Sequence, residues 1–587
     1  MTGGEWKNSL LLSICTIATF AICVILIRES RLSGNSTTMN SNNSNNNSNL
    51  KQKKGKGDNR PNIVVMFADN LGYNDIAIFG APSAKTPNID RIGMEGMKLN
   101  NWNSAASLCS ASRAALMTGK YPVRTGIYPG VLKPDAVYGL SPDEHTLAEY
   151  LKKEGYATSI VGKWHLGQHE PYLPTNQGFD EWLGIPYHMS GGSLDEHICG
   201  YDVNRTMWLP LYQDAEIVEQ PVQLQDLAQR YGRAATKFIE TNVKEETPFF
   251  LYLPFSHVHQ MCAPAFGSEQ GTCQWASTAF STDSPHGTFI DAVEEMDWVA
   301  GEVLKALDDN GVADDTLVIF TSDNGPWVAE MQCSGSKGPF EGRWLQENVD
   351  MECTACPHDY IAEPLPDRKR RCVNHATGLE LDGVHCGADT GLGGVWEANL
   401  RMPALARWPG RIPKGTETMA MISTLDVVPT VLSVVGAEDI PHSDLDGVDV
   451  TNVLLTGNEP NENDRVLYFW RDGFENGPLP APFGRFDVAA IKVGRIKGWF
   501  WTKSAHYNPD VEVHHDPPLL FDVIADPAEA FPLDPNEYED VIYRMKSLVE
   551  DHKAHIHKSP PLTVDRDPKF IPCANEHTSC RVSRPIE

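Results

Sequence analysis

NIVVMF, residues 62–67, is a run of β-branched and other apolar residues that breaks off at Ala68 into Asp69-Asn70. The same change occurs three more times. TSIV at 158–161 runs into Gly162-Lys163-Trp164-His165, FFLYL at 249–253 into His257-Val258-His259, and TLVIF at 316–320 into Asp323-Asn324. Uninterrupted apolar runs of this length are what parallel strands buried on both faces require. Between them lie segments with helical spacing, such as Ile290, Val293, Asp297, Ala300, Leu304 and Leu307, which stops at Asn310-Gly311. The alternation predicts an α/β protein with a mainly parallel central sheet flanked by helices. Open sheets of this kind bind ligands at the carboxyl ends of their strands, so four polar clusters placed there predict one converging site. One such cluster alone would be ordinary turn chemistry.

Beyond the Pro-rich, acidic stretch at 456–464 the pattern changes. VLYFW (466–470), DVAAIKV (487–493), KGWFW (497–501) and LLFDV (519–523) are separated by Gly, Pro and Asp, as in an antiparallel meander. Residues 536–550 then place Tyr538, Val541, Ile542, Met545 and Val549 on one helical face. This predicts a smaller C-terminal α+β subdomain, 456–587, after a large domain spanning 61–455.

The 587 residues hold 49 Lys+Arg against 78 Asp+Glu, a net charge of −29, which repels phosphate backbones and argues against a nucleic-acid partner. After a short tail at 1–8, residues 9–27 (SLLLSICTIATFAICVILI) contain no charge, and Arg28 and Arg31 follow. That length crosses about 30 Å of hydrocarbon as a helix and predicts an uncleaved single-span anchor. The Asn/Ser-rich tract and the basic run KQKKGKG, together 28–60, form a stalk that cannot bury a core. Sequons at Asn35, Asn42 and Asn46 are what chance gives in an Asn/Ser-rich tract, whereas the one at Asn204 fits a lumenal body. Of the 13 cysteines, Cys15 and Cys23 lie in the span; the other eleven suit an oxidising compartment, and their odd number leaves at least one unpaired. Cys353 and Cys356 fit a disulfide better than half a zinc site, because no second pair has suitable spacing.

The most specific stretch is SLCSASRAALMTGKYPVRTGIY, Ser107 to Tyr128. Cys109-Ser110-Ala111-Ser112-Arg113 followed by Met117-Thr118-Gly119 resembles the signature of the formylglycine-dependent sulfatases. ADNLGYND (68–75), TPNID (86–90), HTLAEYLKKEGY (145–156), GKWHLG (162–167), TSDNG (321–325) and MPALARWPG (402–410) resemble further sulfatase segments in order. PPLLFDVIADPAEAFPL (517–533) is most similar to the arylsulfatase A and N-acetylgalactosamine-6-sulfatase branch. The resemblance spans roughly 61–535 with an insertion near 341–385, and it implies an alkaline-phosphatase-like fold.

It also implies a chemistry: hydrolysis of sulfate esters of a small molecule or carbohydrate. Cys109 would be oxidised to formylglycine by a formylglycine-generating enzyme in the endoplasmic reticulum, and its hydrate would be the nucleophile. Sulfate-ester cleavage needs that nucleophile, cations for the sulfuryl oxygens and an acid for the leaving oxygen. Asp69, Asn70, Asp323 and Asn324 offer hard oxygen donors suited to Ca²⁺, or Mg²⁺, next to Cys109. By resemblance Arg113 orients the formylglycine, Lys163 bridges it and the sulfate, His165 bonds one of its hydroxyls, and His259 protonates the leaving alcohol. Asp323 doubles as base, and His257 reads as structural.

Three positions depart from the family pattern. Asn70 stands for the second aspartate of the metal pair, His188 for a serine after GIPY (184–187), and Leu392 for a sulfate-binding lysine. Lys337, in CSGSKGPFEG (333–342), is the candidate to restore that lost charge. The leading reading is a membrane-anchored arylsulfatase-type hydrolase. Its rivals are a tethered pseudo-sulfatase, suggested by Leu392, and a phosphatase or phosphodiesterase of the same superfamily, which would use Ser or Thr where Cys109 stands.

Overall fold

The computed structural model describes residues 60–189, 209–260, 274–281, 287–328, 334–348, 389–459, 465–473, 484–505, 512–575, 577 and 580–586, and the backbone of three short strands within 361–381. The expected membrane span and nearly all of the stalk lie outside the described residues, as do the sequons and the Cys353/Cys356 pair. Among the described residues no helix is long and apolar enough to cross a membrane.

Ten strands, β1 (Asn62–Ala68), β2 (Met97–Leu99), β3 (Ala157–Val161), β4 (Glu181–Gly184), β5 (Leu211–Gln213), β6 (Glu216–Gln220), β7 (Phe249–Pro254), β8 (Thr316–Ser322), β9 (Leu405–Arg407) and β10 (Thr416–Thr418), lie in one sheet in the order β10-β2-β9-β8-β1-β7-β3-β4-β5-β6. The centre, β8-β1-β7-β3-β4, is parallel throughout. Three of the four apolar runs that suggested the sheet are its innermost strands, and the fourth, β3, adjoins them. Their composition follows from burial on both faces: Val64, Met66 and Ala68 of β1 enter one core, and Ile63, Val65 and Phe67 the other.

Helices cover both faces. α1 (Pro87–Glu95), α3 (Leu227–Lys244) and α4 (Thr288–Asp309) lie on the first core; α2 (Cys109–Thr118), between α1 and α3 in the chain, packs on the second. The predicted helix over 290–307 is α4, and it ends where expected, with Gly311 at φ +68°. Asp297, polar on an apolar face, is buried because its carboxylate accepts the N–H groups of Asn88 and Ile89 at the start of α1.

A one-turn helix, α5 (Glu397–Leu400), and α6 (Val427–Val435) also belong to the large domain. The C-terminal region forms the predicted antiparallel meander, β11 (Val466–Gly473), β12 (Arg485–Val493), β13 (Ile496–Lys503) and β14 (Glu512–Asp522), paired in chain order. β14 starts at Glu512, earlier than expected, and carries Pro517 and Pro518, which an edge strand tolerates. α7 (Glu539–His555) begins later than predicted because Pro535–Glu537 makes a separate 3₁₀ turn capped by Asp534. It extends to His555, and His552 stacks on Tyr468 with ring centroids 3.7 Å apart. Ile542, Met545 and Val549 of α7 pack with Trp470, Val488 and Ile491. The chain returns to the main sheet as β15 (Val582–Ser583), paired with β6.

Candidate active site

β8, β1, β7 and β3 are neighbours and point the same way, so the residues just past their ends meet. Asp69 and Asn70 follow β1, Lys163 and His165 follow β3, His257 and His259 follow β7, and Asp323 and Asn324 follow β8. α2 brings Cys109 to the same place. Its N-cap, Leu108, has no side chain able to satisfy the first N–H groups, so the helix presents uncapped positive potential there. Gly119 ends α2 at φ +66° against Val428 and Leu425, where a Cβ would be crowded.

The Cys109 thiol lies 3.6 Å from both Asp69 Oδ1 and Asn70 Oδ1. Lys163 Nζ donates to Asp69 Oδ2 at 2.7 Å. Arg113 donates from Nε (3.1 Å) and Nη2 (2.7 Å) to Asp323 Oδ2, and from Nη1 to the Lys163 carbonyl. Asp323 Oδ1 accepts the backbone N–H of Asn70 and of Asn324, and Asn324 Nδ2 donates to Asn70 Oδ1 at 2.7 Å. Asn70 sits at φ +59°, a conformation asparagine accepts more readily than most residues. Asn399 ties the rim together: its Nδ2 donates to the carbonyls of Ser107 and Gly394, and its Oδ1 accepts from Gly325 N–H.

Three histidines line the other side. His165 donates from Nε2 to the Leu132 carbonyl at 3.0 Å, which leaves its buried Nδ1 a lone pair with no partner. His259 donates from Nδ1 to the Gln260 carbonyl at 2.7 Å, so its Nε2 is the open nitrogen. His188 stacks on His259, centroids 4.8 Å apart and planes 3° apart, and meets His165 edge-on at 5.5 Å. His257 pairs with Glu295 at 3.1 Å.

Burial dominates the electrostatics. It pushes the Cys109 thiol well above its usual range, only partly offset by Lys163, so a thiolate is disfavoured. Burial, then the charge of Lys163, lowers His165 far below the usual imidazole value and His259 to about 3. Burial raises Asp323, and the nearby Asp69 carboxylate raises it further. Arg113 Nη2 stands between the two carboxylates, 2.7 Å from Asp323 Oδ2 and 3.7 Å from Asp69 Oδ1. Donor atoms of Asp69, Cys109 and His259 lie within 4.8 Å of one another, and Asn324 Oδ1 is a buried acceptor without a partner. With Asn70 Oδ1 and Asp323 these atoms make an oxygen-rich cradle that fits a hard divalent ion.

Of the three departures, Asn70 and His188 lie in the site itself. Leu392 lies at its edge: Leu392 N–H donates to the Pro326 carbonyl, and Gly393 N–H to the Ser107 carbonyl two residues before Cys109. Lys337 does not join the cluster. Its Nζ donates to Thr390 Oγ1 at 3.2 Å and to the Glu341 carbonyl at 3.3 Å, because Asp75 holds its loop through Ser336 N–H. The structure also brings in two residues without a motif to mark them. Gln260 Oε1 accepts from Asn70 Nδ2 at 3.4 Å while its own Nε2 is buried and unpartnered. Lys133 stands close enough for its charge to act on Cys109 and His188.

The family model described as Sulfatase matches residues 61–437, and that of the C-terminal region of aryl-sulfatase matches 462–582. Arylsulfatase G of Canis lupus familiaris is 32% identical over 552 residues, covering 89% of this chain and 91% of its own. Human arylsulfatase A is 34% identical over 495 residues, covering 81% and 83%. The crystal structure of a sulfatase from Pseudoalteromonas sp. superposes with a TM-score of 0.64 at 25% identity, covering 84% of this chain and 90% of that one. A strand-end cluster around a buried cysteine, two matching family models and relatives that span most of the chain lead to one conclusion: this chain belongs to the sulfatase family of sulfuric ester hydrolases.

Proposed function

We propose that the chain hydrolyses sulfate esters with residue 109 oxidised to formylglycine and with a divalent cation, calcium, held by Asp69, Asn70, Asp323 and Asn324. One observation carries this reading. Among the described residues Cys109 is the free cysteine, it is buried at a helix start, and carboxylate, amide, lysine, arginine and histidine groups all face it. A neutral thiol is a poor nucleophile, so an oxidised side chain serves this position better than the cysteine itself.

When bound, the cation would lower the cost of deprotonating the hydrated aldehyde and align the ester. Lys163 and the start of α2 would hold the sulfuryl oxygens. Arg113, fixed on Asp323, would orient residue 109, and the free Nδ1 of His165 would accept a bond from its hydroxyl. His259 presents an unprotonated Nε2 in the resting site; the negative charge of a bound ester would favour a proton there, ready for the leaving oxygen. Across the cycle one water is consumed, and alcohol and inorganic sulfate are released.

The same reading includes maturation by a formylglycine-generating enzyme and a body on the lumenal or extracellular side, tethered by residues 9–27. The Cys573–Cys580 disulfide supports an oxidising compartment. Leu392 favours a second reading, a tethered protein with weakened or no turnover. The two part on one measurement: in protein made by a competent secretory pathway, the tryptic peptide containing residue 109 should carry the mass of an aldehyde or its hydrate. Recovery of unmodified cysteine alone would refute the hydrolase reading.

His259→Ala should slow an alkyl sulfate by a further factor of about 10²–10⁴ relative to 4-nitrophenyl sulfate, whose leaving oxygen needs little protonation. Equal losses on both substrates would assign His259 to positioning instead.

A further inference from the structure

Lys133 has no part in the chemistry above, yet its backbone is held on both sides. Leu132 N–H donates to Ser110 Oγ at 3.1 Å, and the Leu132 carbonyl accepts from His165. Gln168 Nε2 donates to the carbonyls of Lys133 and Pro134 at 2.9 Å each. On the outer side the C-terminal tail runs alongside, with Val137 N–H on the Asp565 carbonyl and Asp567 N–H on the Asp135 carbonyl. The side chain itself keeps solvent access, in contrast to Asp69, Arg113 and Lys163, which are fully buried. Surrounding protein, and then Arg566, lowers the Lys133 ammonium pKa.

This cation is uncommitted. The acid nearest in charge, Asp135, is held by Arg566 Nε at 2.7 Å, and no carboxylate among the described residues pairs with Lys133. The two cations on the floor, by contrast, are each bound to a carboxylate, Lys163 to Asp69 and Arg113 to Asp323. Displacement at sulfur places nucleophile and leaving oxygen on opposite sides. With residue 109 as nucleophile the leaving alcohol faces His259, and Lys133 lies on that histidine side: the preceding Leu132 carbonyl holds His165, His165 meets His188 edge-on, and His188 stacks on His259. A chain with a net charge of −29 repels polyanions at long range, so one that binds such a substrate needs a local cation where it enters.

We propose that Lys133 forms a subsite for a second anionic group on the leaving-group side, which makes the preferred substrate a sulfated saccharide bearing a further carboxylate or sulfate. The proposal rests on the hydrolase reading and names its substrate class. The test compares 4-nitrophenyl sulfate with a sulfated disaccharide carrying a uronate carboxylate, on the full-length matured protein. Lys133→Met should raise KM and lower kcat/KM on the disaccharide by about 10- to 100-fold more than on the aryl sulfate, the loss of one charge-assisted contact. Lys133→Arg should restore most of the loss. Equal losses on both substrates would mean that Lys133 holds the scissile sulfate, and no loss on either would mean that it faces only solvent; each result overturns the proposal. Calorimetric binding of the same disaccharide should weaken by the same factor and needs no turnover. A wild-type chain that binds it through Lys133 without hydrolysing either substrate would refute the hydrolase reading and leave the subsite standing, whereas binding unchanged by Lys133→Met would refute the subsite.

Discussion

Cys109→Ala is expected to lower kcat on 4-nitrophenyl sulfate by a factor on the order of 10⁵, the scale seen when a covalent nucleophile is removed and the rest of a site is left in place. The surroundings should survive the change. Cys109 contributes one small side chain to a helix whose ten residues are all buried, and the ion pairs Lys163–Asp69 and Arg113–Asp323 do not depend on it. Unfolding by urea should confirm this, with a midpoint shifted only by the change of one small buried side chain. Activity within tenfold of the parent would show that residue 109 does not attack the ester, and another group would have to be the nucleophile.

The second large effect concerns stability. Glu397, in α5, is fully buried and accepts from four groups: Arg401 Nε (2.9 Å) and Nη2 (2.6 Å), Lys492 Nζ (2.9 Å) and Lys497 Nζ (3.2 Å). Lys497 also reaches Glu529 at 3.2 Å, and Glu529 accepts the N–H of Glu397. Burial alone would raise the Glu397 carboxyl, but Lys492, Arg401 and Lys497 outweigh it and hold it well below the usual glutamate range. Glu397→Leu leaves three cations with one remaining carboxylate in a dry interior. The expected loss is about 3–5 kcal/mol, read as a lower urea midpoint at unchanged slope. Because α5 belongs to the large domain and Lys492 and Lys497 to β12 and β13, separation of the two regions before global unfolding is expected as well, with the α7 and β11–β14 amides exchanging first. A shift below about 1 kcal/mol would show the network to be replaceable at no cost. The acid limb of stability should move with it: a depressed carboxyl contributes above its unfolded pKa near 4.5, and that contribution is lost as pH falls through the folded value.

The centre of the fold was legible because strands buried on both faces have almost no freedom of composition. The sheet margins were not: β2, β5, β9 and β10 are three residues each, and tertiary pairing rather than local pattern sets them. The site residues were readable for a related reason, since strand ends that share one sheet edge bring Asp69, Lys163, His259 and Asp323 together whatever the loops do. Loop residues had no such guide. Lys337 looked like a free cation in a glycine-rich stretch, but Asp75 draws that loop toward residues 72–75. Lys133 carries no motif, and what places it is a clasp by Gln168 and a tail some 430 positions downstream. Contacts that distant in sequence leave no local trace.

The strand order has a temporal side. β1 is the first strand of the compact unit, yet it pairs with β7 and β8, which are made last among the central strands. After residue 109 is synthesised, about 200 further residues must follow before β8 can close the sheet, on the order of 10–40 s at about 5–20 residues per second. Once closed, the sheet leaves Cys109 3% exposed. The oxidation proposed for residue 109 would thus have a deadline set by topology, and a chain that folded before it took place would be correct in shape and empty of activity.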